Sequence, residues 1–183
     1  ADNDVAVVAR GRHLEAIVEG GLRVRDANGE TVHRMPAVAD VGKLGLTADD
    51  LVVLAVKTQD SAAVLASLAR VAPPDMAVAC AQNGVENERL ALRFFANVYG
   101  IHVVCPATHL EPGVVVADST PITGVLDVGR YPHGVDDVSE WFAAALNGAT
   151  YDSQSLDDVM RWKHRKLLGN LRNVIEVVCG TDA

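Results

Sequence analysis

The chain has 183 residues, 49% hydrophobic and 22% charged, with a formal net charge of −8. That is enough apolar material for one core and part of a second domain. The acidic balance excludes a broad electrostatic footprint for nucleic acid, and no apolar stretch reaches the roughly 18 residues of a membrane span.

Residues 5–9, Val5-Ala6-Val7-Val8-Ala9, form a continuous apolar run of the buried, parallel-strand type. The spacing predicts a helix over 11–20, with Leu14, Ile17 and Val18 on its apolar side. Asp26-Ala27-Asn28-Gly29 lies between extended segments 22–24 and 31–36, a strong hairpin signal. Residues 51–56 read as a second buried strand and 58–71 as a helix, which Pro73-Pro74-Asp75 ends. A strand over 76–81, a helix over 86–95 and a strand over 98–104 follow. Segments 113–117 and 122–128 read as a mixed or antiparallel edge, separated by Asp118-Ser119-Thr120-Pro121. A helix is expected over 134–146, with Asp136 and Asp137 in its first turn. A short strand over 149–152 comes next, then a long helix with Ser155 as N-cap that runs to about 178. Strands alternating with helices mean an α/β fold with a parallel sheet. The domain boundary is expected near Gln154, dividing 1–153 from 154–183.

The polar start, Ala1-Asp2-Asn3-Asp4, does not resemble a signal peptide. The three cysteines, Cys80, Cys105 and Cys179, fit neither a disulfide framework nor a zinc spacing. They read as buried thiols in a reducing cytoplasm. The six histidines have no metal-ligand spacing, so no metal is expected. There is no Gly-x-Ser-x-Gly nucleophile elbow either.

In a doubly wound sheet, ligands bind outside the carboxyl ends of the strands. That rule selects Arg10, Lys57 and Asn83-Gly84, each just past an expected strand. Arg10 is either a solvated loop residue or the partner of an adenosine 2′-phosphate, where an acid would instead select the unphosphorylated cofactor. Lys57 taken alone reads as a surface lysine pairing with Asp60, and Asn83-Gly84 taken alone as a tight turn. The last helix carries Arg161, Lys163, His164, Arg165 and Lys166, most of which read as a solvated face. Trp162, Lys166 and Asn170 stand at i, i+4 spacing on one stripe that continues to Val174 and Val178. A lysine within an apolar stripe is costly unless paired, so a cleft-facing Lys166 is the natural reading. Lysine supplies a proton and a positive charge, and asparagine a donor and an acceptor. The pair suits an oxygen-rich substrate that develops an alkoxide.

Five motifs, in order, resemble the ketopantoate reductase (2-dehydropantoate 2-reductase) family. They are Val5-Ala6-Val7-Val8-Ala9-Arg10-Gly11, Val56-Lys57-Thr58, Gln82-Asn83-Gly84-Val85, Glu111-Pro112-Gly113 and Trp162-x-x-x-Lys166-Leu167-x-x-Asn170. The resemblance implies a Rossmann-like, doubly wound parallel sheet over 1–153. The first long helix of an all-α C-terminal domain, for substrate binding and dimerisation, would begin in 154–183. It implies NADPH-dependent reduction of a 2-keto acid, ketopantoate to pantoate, on the way to pantothenate and coenzyme A. By the same resemblance, Arg10 meets the 2′-phosphate, Lys57 and Asn83 line the nicotinamide side, Lys166 is the general acid, and Asn170 binds substrate. A homodimer would fit, with neither nucleic acid nor membrane as partner.

The chain departs from the family pattern. It is expected to begin after the first strand and its Gly-rich turn, and to stop before the helical domain is complete. Val174 stands where the family often has a further asparagine, and Asn173 lies on another face. Gln59 follows Lys57 by two residues where the family has a glutamine three after the lysine, and Asp60 takes that third place. Two other readings are a reductase for another 2-keto acid, and a truncated, non-catalytic remnant that binds nucleotide weakly or dimerises.

Overall fold

A computed structural model of the chain describes residues 3–180, and for 172–177 the helix backbone only. In chain order its elements begin with β1 (Val7–Val8), α1 (Gly11–Gly20), β2 (Leu22–Asp26), β3 (Gly29–His33), β4 (Ala37–Val38), β5 (Leu51–Leu54) and α2 (Thr58–Leu68). They continue with β6 (Ala77–Cys80), α3 (Asn87–Ala91), β7 (Asn97–Val104), β8 (Ala107–Thr108), β9 (Val114–Ala117) and β10 (Gly124–Arg130). The last are α4 (Asp137–Asn147), β11 (Tyr151–Asp152) and α5 (Val159–Cys179).

The apolar runs at 51–56, 76–81 and 98–104 become adjacent strands of a five-stranded sheet of order β11-β10-β7-β6-β5, with β5 at its edge. The run at 5–9 is not the buried strand expected, since it stays outside this sheet and leaves Val5 and Val8 exposed. Strands β5, β6 and β7 are parallel. Every residue of β6 is buried, because helices cover both of its faces. Val78 and Cys80 point into a core with Leu54, Leu65, Leu68, Met76, Phe95 and Val98. Ala77 and Ala79 point the other way, into a core with Tyr99, Ile101, Val128 and Ala143. Of the two segments expected to form a mixed edge, only 122–128 joins this sheet: β10 runs antiparallel to β7, and β11 parallel to β10, whereas 113–117 becomes β9 of the second sheet, parallel to β2. The Ala27-Asn28 turn joins β2 to β3, with Asp26 paired to Gly29, in a four-stranded sheet of order β3-β2-β9-β8. Among the described residues β1 pairs only with β4, a strand the sequence pattern did not signal.

The final helix starts later than expected. Ser155 is not its N-cap; its hydroxyl donates to Ser139 Oγ at 2.9 Å, and Ser155 forms a bridge with Val128. The backbone there is engaged with the sheet. Val128 N–H donates to Gln154 O, and Leu156 N–H to Val128 O. Residues bound in this way cannot also begin a helix. α4 likewise starts at Asp137, because Asp136 is its N-cap: it accepts from Ser139 N–H in a reciprocal capping box. The cysteines also differ from expectation. Only Cys80 is buried; Cys105 is half-buried and Cys179 exposed.

The first turn of α5 lies very close to the sheet. A Cβ on Gly129 would stand 3.0 Å from Val159 Cβ, and 2.1 Å from the O of Leu156 just before the helix, and one on Gly100 would stand 3.2 Å from Met160 Sδ. Glycine at both positions lets α5 pack along β7 and β10. Its next turns then cross the carboxyl ends of β6 and β7. No helix among the described residues is long and apolar enough to cross a membrane.

Candidate functional site

Asn83 and Lys57 follow the parallel strands β6 and β5, so both stand at the same edge of the sheet. α5 brings Lys166 to that edge. Its ammonium donates to Asn83 Oδ1 at 2.7 Å and to the carbonyl of Val103. Together with the adjacent Leu167 and with Asn170 one turn on, they line a narrow cleft whose other walls are Gln82, Gly84, Ile101, Val103 and Lys163. Thus the fold joins Lys166, Asn170 and Asn83, from two distant parts of the chain, in one place. Burial pushes the Lys166 ammonium below the usual lysine range; the Lys163 charge pushes the same way, and Cys105 opposes them.

Lys163 is the residue that sequence reasoning misplaced. It belongs to no solvated face: it is 4% exposed. Its ammonium donates to the carbonyls of Gln82 at 3.0 Å, Ile101 at 3.1 Å and Cys80 at 3.3 Å. These use all three of its protons. Glu88, from α3 and fully buried, lies 2.6 Å away as an ion pair rather than a directed hydrogen bond. Lys163 precedes Lys166 by three residues and so shares its face, which is the signal the sequence offered. Nothing in the sequence singled out Glu88. Arg161, His164 and Arg165 are exposed as expected, and Arg165 stacks over Trp162 at 5.6 Å. Trp162 also lies 6.0 Å from the ring of His102, which pairs with Asp127 at 3.1 Å. Val178 is 77% exposed. The side chains of Asn173 and Val174 lie outside the described residues.

A buried relay holds the two strand-end loops together. Gln82 Nε2 donates to Ser61 Oγ at 3.0 Å, Ser61 Oγ to Asn87 Oδ1 at 2.8 Å, and Asn87 Nδ2 to Thr58 Oγ1 at 3.1 Å. Thr58 adjoins Lys57 and Gln82 adjoins Asn83. The relay therefore fixes the spacing of those loops through α2 and α3. Lys57 itself is exposed, and no ion pair joins it to Asp60 among the described residues. Arg10 is exposed just past β1 and does not line the cleft. Cys80 is no nucleophile: burial pushes its thiol up to about 12, with Glu88 adding to the shift and Lys163 opposing it.

Residues 1–132 match the family described as ketopantoate reductase PanE/ApbA. The 2-dehydropantoate 2-reductase of Pyrococcus horikoshii is 27% identical over 167 residues, covering 91% of this chain and 53% of that protein. The chain thus spans about half the length of the curated relatives it matches. The crystal structure of 2-dehydropantoate 2-reductase from Geobacter metallireducens superposes with a TM-score of 0.81 at 25% identity, covering 93% of this chain and 56% of that one. A D-mandelate dehydrogenase, solved with NADH and anilino(oxo)acetate, shares the fold at 21% identity and a TM-score of 0.77, covering 90% of this chain and 53% of that one.

Proposed function

The chain belongs to the ketopantoate reductase PanE/ApbA family, and on that premise we propose that it forms the cofactor-binding part and the proton-donating helix of an NADPH-dependent 2-keto-acid reductase, with 2-dehydropantoate the first substrate to test. The observation that carries this reading is the Lys166 ammonium, 2.7 Å from Asn83 Oδ1 at the carboxyl ends of parallel strands. Residues 1–153 serve as the cofactor domain and 154–183 as the start of a helical substrate domain. The setting is a cytoplasmic one, in pantothenate synthesis.

The residues present suit a nicotinamide dinucleotide. Arg10 and Lys57 are exposed and enter no ion pair among the described residues. Gly84 has φ +91° and open space where a Cβ would point, so a ligand can approach the strand end. Arg10 would hold the 2′-phosphate, and Lys57 and Asn83 the nicotinamide side. When bound, the cofactor supplies the hydride to the keto carbon. Lys166 then gives a proton to the carbonyl oxygen as it gains charge, and its ammonium stabilises that charge beforehand. Asn170, one turn on, hydrogen-bonds the substrate. Lys166 keeps its orientation through Asn83 and Val103. The partly buried position makes its proton easier to give, since burial disfavours the ammonium.

The test is NADPH consumption with ketopantoate and with other 2-keto acids, using the protein that carries this chain, beside its Lys166→Ala variant. A general acid contributes about 10²–10⁴-fold. The variant should therefore lose that much in kcat while still binding NADPH. Full activity in Lys166→Ala sinks the assignment, as does an absence of turnover with every 2-keto acid.

A further inference from the structure

Two lysines, not one, bridge β6 to β7. Lys163 joins Gln82 O to Ile101 O, and Lys166 joins the Asn83 side chain to Val103 O. The two contacts run in step: one residue further along the β6 end, and two further along β7. The deeper rung is Lys163, with four partners and almost no exposure; the outer rung is Lys166, half-buried with two. The position of α5 along the strands is therefore set at Lys163 and passed to Lys166.

A buried ion pair is a poor way merely to fasten a helix, because well-packed apolar residues do so at less desolvation cost. What the pair adds is a positive charge fixed one turn from a second amine. We propose that Lys163, held in place by Glu88, is a positioning residue for Lys166: it sets that amine over the strand ends and keeps a second positive charge beside it. The inference rests on the role proposed above for Lys166. The lowered Lys166 pKa, to which Lys163 contributes after burial, agrees with it. The other ionisable groups around Lys166 do not substitute for Lys163. Cys105, just past β7, acts in the opposite sense. His102 of β7 and Asp127 of β10 pair with each other beside Trp162. Glu88 of α3 contacts Lys163.

The test is the double variant Lys163→Met/Glu88→Gln, which removes both charges at nearly constant volume. Lys163→Met/Glu88→Met, wholly apolar, serves if the first does not fold. Competitive chemical labelling read by mass spectrometry titrates the Lys166 amine without requiring turnover. The titration should move up toward the ordinary lysine range, and the alkaline limb of kcat should move with it. kcat itself should fall about 10–100-fold, as a misplaced group would cause, with KM little changed. Lys163→Arg, which keeps the charge, should leave the limb nearer its original position. A folded, active double variant whose Lys166 titrates as in the parent overturns the inference and leaves the proposed reaction standing. A shifted titration in a protein whose parent reduces no 2-keto acid does the reverse: the link between the lysines holds, and the reaction falls.

Discussion

Replacing Lys163 alone by methionine should cost more than any other single change in the site. Its side chain is 3% exposed and that of Glu88 0%, so the substitution strands a carboxylate where water cannot reach it. It also takes a donor from the carbonyls of Cys80, Gln82 and Ile101. Breaking one partner of a buried ion pair costs about 3–5 kcal/mol. Set against a total stability of about 5–15 kcal/mol, that is a large share. For a chain of this size each kcal/mol moves Tm by about 2–4 °C, so the midpoint should drop by about 6–20 °C. Thermal and urea denaturation of the single and double variants are the assay. Lys163→Met/Glu88→Met should recover most of the loss, because no charge is then left unpaired. A single variant within about 1 kcal/mol of the parent, well below the cost of stranding a buried charge, would refute the reasoning. So would a double variant no more stable than the single.

Lys166 predicts a pH dependence of definite sign. Its folded pKa lies below 10.5, so between that lowered value and 10.5 the unfolded chain binds more protons than the folded one, and stability rises with pH. The urea midpoint difference between the parent and Lys166→Met should therefore change across that window and be flat below it. An unchanging difference throughout would show that burial does not disfavour the ammonium. Ser61→Ala removes the hydroxyl that joins Gln82 to Asn87. It should cost about 1–3 kcal/mol by leaving buried polar groups unpaired, and should raise KM for NADPH more than it lowers kcat; calorimetry and steady-state kinetics check the two halves. Gly129→Ala places a Cβ 2.1 Å from Leu156 O, a backbone atom that cannot swing aside. It should lower Tm sharply, and a near-normal melting curve would mean that the segment leading into α5 can leave β10 without penalty.

The elements themselves were legible in the sequence. The apolar run at 77–80 is a strand buried on both faces, the run at 51–54 is its parallel neighbour at the sheet edge, and Asp26-Ala27-Asn28-Gly29 closes a hairpin in which Gly29 takes a positive φ. The placement of Lys166 and Asn170 on one helix face followed from 3.6-residue periodicity alone, and both residues do line the cleft. Tertiary structure decided the rest. Periodicity says which residues share a face, but not what that face meets. Lys163 and Lys166 share theirs, yet Lys163 is buried at the floor of the cleft while Lys166 stays half-exposed at its mouth. That division depends on Glu88, brought in by α3, and on strand carbonyls from β6 and β7. Ser155 had the local chemistry of an N-cap, but a hydrogen bond to Ser139 and the pull of β10 on its neighbours overrode it. Local propensities are worth about 1 kcal/mol each. Long-range partners that fill buried polar needs are worth more, and no window of sequence contains them.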